Sequence, residues 1–354
     1  MSIFQKIIKV YFLIAVYCFI SCKKNEIVNP EQQTVWSEVK YFYGNQRYFL
    51  SSGSNNRSIF LQQPFYFSQV RQPLSQEGIT IYGANLPTDV NIRIPISKSF
   101  FALPFSDIGI DIRNNENPTR SRVYNLKNID TNLVKIRTAF LANAKCMVIN
   151  NDETLIVNYI NNKNDNTNSF FLIKVNATNI FPFVDTVYSK TISIKRTNLN
   201  SGVRLMTSIE DVFYVEIFPD GIFKIASDGQ VKKVYNGATY VDVIYKWKNK
   251  IYAHQEWGKM LVSNDDGNNW QPFNGIPDFF TQSKFYKIQD SLIGVYNDQL
   301  FTLDWNNNEF KTRTLNNVGL ERTSINGLQI LNDTVYAVTT SGLYIKPVTS
   351  FFKN

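Results

Sequence analysis

The chain has 354 residues, 44% of them hydrophobic and 14% aromatic, enough to build the core of one large domain. Its formal charge of +8 is a modest surplus for this length and does not by itself point to nucleic acid. One histidine and three cysteines exclude the commonest zinc sites, which need several such ligands, and neither a metal nor a cofactor is expected.

The first 21 residues read as a leader. Lys6 and Lys9 precede an apolar run, 10–20, about half the length that a spanning helix needs. Ser21 and Cys22 follow, and the chain then turns polar at Lys23, Lys24, Asn25 and Glu26. The run Phe19-Ile20-Ser21-Cys22 resembles the lipobox of bacterial lipoproteins, with Phe19 in place of the usual Leu. The resemblance implies that the leader is removed and that Cys22 carries lipid such as palmitate, which holds the chain to a membrane, the outer membrane of the cell envelope being the expected address. Loss of Lys6 and Lys9 with the leader leaves +6. Cys18 is discarded and Cys22 modified, so Cys146 is left without a disulfide partner within the chain. Residues 22–36 read as a polar tether and 37–354 as one domain.

Beyond the tether, short apolar runs alternate with Asn-rich turns, a pattern of strands rather than helices. A unit of two such runs recurs. Residues 212–215 are followed by 221–224, 251–254 by 260–263, 292–295 by 299–302, and 335–338 by 342–345, with first runs 39, 41 and 43 residues apart. That period belongs to the four-stranded blades of a β-propeller. The runs at 155–157, 100–103 and 48–50 are irregularly spaced earlier copies, giving seven blades. The last unit lacks room for an outer strand, and residues 38–43 have no partner of their own. Those residues are therefore expected to complete the last blade and close the ring.

Three features are candidates for chemistry. The segment 113–145 carries Arg113, Arg120, Arg122, Lys127, Lys135, Arg137 and Lys145 against Glu116 and Asp130, a local +5. Arg113, Arg120 and Arg122 are the candidate contacts to an anionic glycan or an envelope protein; an exported address disfavours nucleic acid. His254, the one histidine, ends a strand, and no nucleophile elbow accompanies it. Arg93-Ile94-Pro95 is similar to part of an arginine motif of sialidases, with Ile92 where an aromatic belongs and Asp107 and Asp111 downstream.

The run from Ser263 to Trp270 supplies Ser263, Asp265, Gly267 and Trp270 in the spacing Ser-x-Asp-x-Gly-x-x-Trp. It resembles the Asp-box of sialidase-like propellers, which implies a folding element between the two outer strands of a blade, away from the binding face. The expectation is an all-β, seven-bladed, lipid-anchored propeller acting as a binding or assembly module, with no catalytic residue assigned. A glycan-cleaving enzyme of sialidase-like type is the alternative, and carboxylates converging on the channel mouth would mark it.

Overall fold

The computed structural model describes residues 35–353 apart from 43, 56, 65, 73, 76, 84–93, 116–120, 137–145, 163–165, 177–184, 198–199, 238–239, 257, 275, 277, 281 and 307–308. The leader, Cys22 and most of the tether lie outside the described residues. Almost every element is a strand, numbered here in chain order. The first, β1 (Ser37–Glu38), belongs to the last sheet. Blade 1 comprises β2 (Ser51–Ser54), β3 (Ser58–Gln62), β4 (Tyr66–Arg71) and β5 (Ile79–Gly83). Blade 2 comprises β6 (Phe100–Ser106), β7 (Gly109–Asn114) and β8 (Ser121–Asn125). Its inner edge is the short segment 94–97, which bridges from Ile96 to Phe101.

In blade 3, β9 (Leu133–Ile136) and β10 (Met147–Ile149) both pair with β11 (Thr154–Asn161), which continues to β12 (Thr167–Asn176) and β13 (Asp185–Lys195). Blade 4 runs β14 (Gly202–Ile209), β15 (Val212–Phe218), β16 (Gly221–Ala226), β17 (Val231–Tyr235). Blade 5 runs β18 (Val241–Trp247), β19 (Lys250–Gln255), β20 (Lys259–Ser263), β21 (Gln271–Asn274). Blade 6 runs β22 (Lys284–Ile288), β23 (Ser291–Tyr296), β24 (Gln299–Asn306), β25 (Glu309–Thr314). Blade 7 runs β26 (Ile325–Leu331), β27 (Thr334–Thr339), β28 (Leu343–Pro347), and then β1. A single α-helical turn, α1 (Val348–Phe351), follows β28.

Side chains alternate across a strand, so each blade presents two faces. In β6, Phe100 and Ala102 pack toward blade 3, while Phe101 and Leu103 pack toward blade 1. In β11, Leu155 and Val157 meet blade 2, and Ile156 meets blade 4. With both faces apolar, the second strand of a blade becomes an unbroken hydrophobic run, as in a sheet covered on both sides. The buried residues divide into seven clusters, and each one is a seam between two successive blades. Seven sheets and seven seams make a closed ring. The chain is a seven-bladed β-propeller.

Closure comes from the expected segment in the expected blade, but its ladder is short. Ser37 pairs with Ile345 and Glu38 with Tyr344, and the Val39 N–H donates to the Leu343 carbonyl at 2.8 Å. The ladder thus begins one residue before the expected 38–43 and ends early. Val39 and Phe42 leave it because the seam between blades 7 and 1 takes both side chains. Trp36, assigned above to the tether, is buried in the seam between blades 6 and 7. Its N–H donates to the Val318 carbonyl at 2.9 Å, and its ring meets Phe351 edge-on at 5.9 Å. Gly319 makes room: with φ at +98° it passes so close to Trp36 that a Cβ would stand 2.5 Å from the Trp36 carbonyl oxygen. Lys346 is fully buried behind it, donating to the Asn316 carbonyl at 3.2 Å with its ammonium 5.9 Å from the Trp36 ring.

This arrangement predicts that Trp36→Ala destabilises the whole domain by about 3 kcal/mol, the usual loss for a large buried aromatic. Truncation before Val35 leaves the denaturation midpoint unchanged. Removal through Phe42 leaves the β28 edge bare and gives aggregated protein on size-exclusion chromatography.

Candidate functional site

The inner strands surround a central cavity of about 730 Å³, lined by residues of β2, β14, β18, β22 and β26 and by Ile94. Three of these strands carry a β-bulge near their start. The irregularities fall between Val203 and Leu205, Val241 and Val243, and Ile325 and Gly327, so Arg204, Asp242 and Asn326 are the residues displaced from the ladders. A bulge leaves its residue unpaired and re-aims the side chain. The repeat therefore places polar groups around one end of the channel.

On one side these groups fasten blades together. The Asn326 side chain donates to the Phe49 carbonyl at 2.7 Å, and the Lys284 ammonium donates to Asn326 Oδ1 at 3.1 Å. On the other side, between blades 4 and 5, charge accumulates. Asp242 and Glu256 line the cavity. Glu216, fully buried on β15, accepts from the Val241 N–H at 3.1 Å through Oε1, whereas its Oε2 is buried without a hydrogen-bond partner. The Arg204 guanidinium lies 3.7 Å from the centre of the Tyr240 ring, and the Phe218 ring stacks on Tyr240 at 4.1 Å. Two groups that close cannot share one face, so Tyr240 is sandwiched between them and holds Arg204 by cation–π contact.

Burial governs the ionisation of the cluster. It pushes the Glu216 carboxyl up to about 8, against the pull of the Val241 N–H and Arg204 and with a further push from Asp242 and Glu256. Burial, and then the Glu256 charge, raises Asp242 to about 6, with Arg204 opposing. A carboxyl raised by folding holds its proton in the native state while the unfolded chain has lost it. Its stabilising effect is therefore present below the unfolded value and lost as pH rises through the folded one. For Glu216 that window runs from 4.5 to about 8. Thermal unfolding of the unmodified protein should lose stability across this range, and Glu216→Gln should flatten the loss and be the more stable chain above about pH 8.

The residues singled out from sequence are not gathered here. His254 is fully buried on β19, with Nε2 2.9 Å from the Tyr245 hydroxyl and rings of Tyr245 and Phe285 beside it, and burial lowers its pKa to about 3. The Cys146 thiol is likewise buried and pushed up to about 12. Arg113, on β7, is paired with Asp111 at 2.6 Å. Arg122, on the outer strand β8, has its guanidinium 5.1 Å from the Tyr124 ring centre. Neither arginine lines the central cavity. Arg120 and Arg93 lie outside the described residues. Asp107 and Asp111 belong to the third-strand side of blade 2 and do not line the channel.

The loop from Ser263 to Trp270 joins β20 to β21, the two outer strands of blade 5. Asp265 Oδ1 accepts from the Ser263 hydroxyl at 2.8 Å and from the N–H groups of Asn268 and Asn269 at 3.2 and 2.9 Å. The Gly267 N–H donates to Ser263 Oγ at 2.8 Å, and the Trp270 indole donates back to the Gly267 carbonyl at 3.1 Å. Gly267 has φ at +75°, and a Cβ there would stand 2.5 Å from the Tyr214 hydroxyl of the neighbouring blade. Trp270 packs in the seam between blades 4 and 5. The donors from Asn269, Ser263 and Asn268 hold the Asp265 carboxyl down at about 2. A depressed carboxyl contributes stability above its unfolded value and loses it as pH falls through the folded one. Asp265→Ala should therefore lower the melting temperature at neutral pH, and the difference from the unmodified protein should shrink as pH falls toward about 2.

Sequence reasoning missed Arg204, Glu216, Tyr240, Asp242 and Glu256. A signal existed: Glu216 and Asp242 are charges set inside otherwise apolar strand runs, where an ionisable group is expensive unless it has a task.

No family model and no curated protein matches the chain. Solved structures do. The chain is similar to virginiamycin B lyase from Staphylococcus aureus, with 13% identity, a TM-score of 0.56, and coverage of 88% of this chain and 98% of that one. It is similar to the extracellular domain of BT4673 from B. thetaiotaomicron, with 11% identity, a TM-score of 0.56, and coverage of 91% of this chain and 43% of that one. BamB from Moraxella catarrhalis shares 8% identity at a TM-score of 0.50, with 86% of each chain covered. Likeness at such low identity establishes the propeller fold and no more.

Proposed function

We propose that the chain is an exported, lipid-anchored β-propeller that serves as a binding or assembly module of the bacterial cell envelope, its ligand seated at the channel mouth between blades 4 and 5. The observation that carries this reading is the cavity of about 730 Å³ with Asp242 and Glu256 on its wall and Arg204 held nearby on Tyr240. The one histidine is buried and occupied by Tyr245, which removes the usual general base. The run Ser21-Cys22 behind an apolar leader supports the anchor, and this reading takes the outer membrane as the address. An extracellular domain among the similar structures agrees with an exported address. We read the Ser263–Trp270 loop as an Asp-box in its folding role, since its bonds are internal and its tryptophan packs in a seam.

The tether fits this reading. From Cys22 to Val35 the chain reaches at most roughly 45 Å when extended. The domain begins at the outer edge of blade 7, where Ser37 and Glu38 pair with β28, away from the inner strands that line the channel.

A second reading, a glycan-cleaving enzyme of sialidase-like type, draws on one observation: two carboxylates, Asp242 and Glu256, stand at the mouth, and Asp242 has the raised pKa that suits a general acid. Nitrophenyl glycosides separate the two. The binding reading expects no turnover. Hydrolysis with a bell-shaped pH profile, abolished by Glu256→Gln, would establish the enzyme. For the anchor, metabolic labelling with a fatty acid should mark the unmodified protein and leave Cys22→Ser unmarked; equal labelling of both would sink it.

A further inference from the structure

In a chain that carries +8 overall, two carboxylates stand on the cavity wall between blades 4 and 5. They are Asp242 and Glu256, with the Arg204 cation nearby. That cation is engaged on another surface, its guanidinium 3.7 Å from the centre of the Tyr240 ring. Lys284, the basic residue that lines the cavity among the described residues, directs its ammonium to Asn326 and the Ile325 carbonyl on β26. His254, behind Tyr245, is held neutral by burial.

A second, independent observation lies beneath the acidic pair. Glu216 is fully buried, one oxygen tied to the N–H of Val241 beside Asp242, and the other has no hydrogen-bond partner. A buried polar atom left without a hydrogen-bond partner is unfavourable by itself. A positive group entering the mouth would offset the charges of Asp242 and Glu256 above this buried carboxyl. Beside them the wall is aromatic. Tyr245 stacks on Phe285 at 4.8 Å, and Phe285 and Tyr286 both line the cavity. Such a surface suits a methylene stem ending in a cation. A metal ion does not suit it, because no three carboxylate, histidine or cysteine groups among the described residues converge closely enough to hold one.

We propose that the channel mouth is a receptor for an organic cation, the ammonium or guanidinium end of a Lys or Arg side chain presented by a peptide segment, bound between Asp242 and Glu256 with its stem on the Tyr245–Phe285–Tyr286 wall. This rests on the reading of the mouth as the ligand seat. Binding is coupled to proton release. Asp242 holds its proton up to about pH 6 in the free protein, and an arriving cation expels it. Affinity therefore rises as pH is raised through about 6. The groups facing Asp242 are Glu256 from the end of β19, Glu216 from β15 and Arg204 from β14, and they set that titration together.

Isothermal titration with a blocked Lys-Gly-Lys peptide, and with the same peptide carrying norleucine for lysine, tests this. The lysine peptide should bind the unmodified protein, at least tenfold more weakly to Asp242→Asn and to Glu256→Gln, and more weakly at pH 5 than at pH 7.5. The norleucine peptide should give no binding; that comparison needs no variant, and melting curves verify that each variant is folded. Equal binding of the two peptides, or none of the lysine peptide, overturns the proposal. Two further results overturn it in ways that can be told apart. A neutral oligosaccharide that binds alone and is weakened by Glu256→Gln would keep the mouth as the seat and reject the cation. Lysine-peptide binding that neither variant alters would reject the mouth itself.

Discussion

No blade of this protein can stand alone, because both of its faces are apolar. The ring is stable only when the last seam is made, and the two ends of the domain make it. The hydrogen bonds of closure are few: β1 offers two ladder pairs and one further N–H. At about 1 kcal/mol net for each bond, the ladder is a weak clasp. The side chains that travel with it do more. Trp36 enters the seam between blades 6 and 7, and Val39 and Phe42 enter the one between blades 7 and 1. Each is worth roughly 1.5–3 kcal/mol of burial, so closure is chiefly hydrophobic, and the strand serves to aim three apolar side chains.

The same ring that hides the apolar faces creates the site. Seven inner strands cannot meet at a point, so a channel remains, and whatever those strands displace from their ladders gathers at its end. The bulges of β14, β18 and β26 use that opening differently. Asn326 turns its polarity back into the protein, linking blade 7 to blade 1 and receiving Lys284 from blade 6. Arg204 and Asp242 have no such closed circuit. One device repeated around the ring thus yields a fastened side and a charged side, and both line the same cavity.

What could be read from sequence follows the same physics. Strands covered on both faces, such as β15, β19, β23 and β27, are continuous apolar runs, and their spacing revealed the blades. Outer strands such as β8 and β17 are largely exposed and carry no such pattern. The first repeat was placed one strand too early. Phe49 is as buried as a second-strand residue, but it lies at the approach to β2, where it packs against blade 7. Blade 3 escaped the period because its inner edge is divided between β9 and β10 with a long connection between them. The turns after β14, β18 and β22 were harder to read for another reason. Each begins with a left-handed residue, and those residues are Glu210, Lys248 and Gln289 rather than glycine or asparagine. Sequence located the Ser263–Trp270 loop because its function is local; the mouth escaped because its residues come together only when blades 4 and 5 pack.

The cluster at the mouth is expensive for the fold, and that is an argument about its purpose. Glu216 sits in a seam where leucine or methionine would be more stable, and burial pushes its carboxyl up to about 8, an effect that the nearby Arg204 only partly opposes. Arg204 is instead laid on Tyr240, which Phe218 supports from behind. A chain that needed only a neutral core would pair the two or lose both. Holding the base on a ring leaves Asp242 and Glu256 at the opening without an ion-pair partner among the described residues. Rules of local consistency are commonly broken at sites that do something, and here the break coincides with the mouth of the channel.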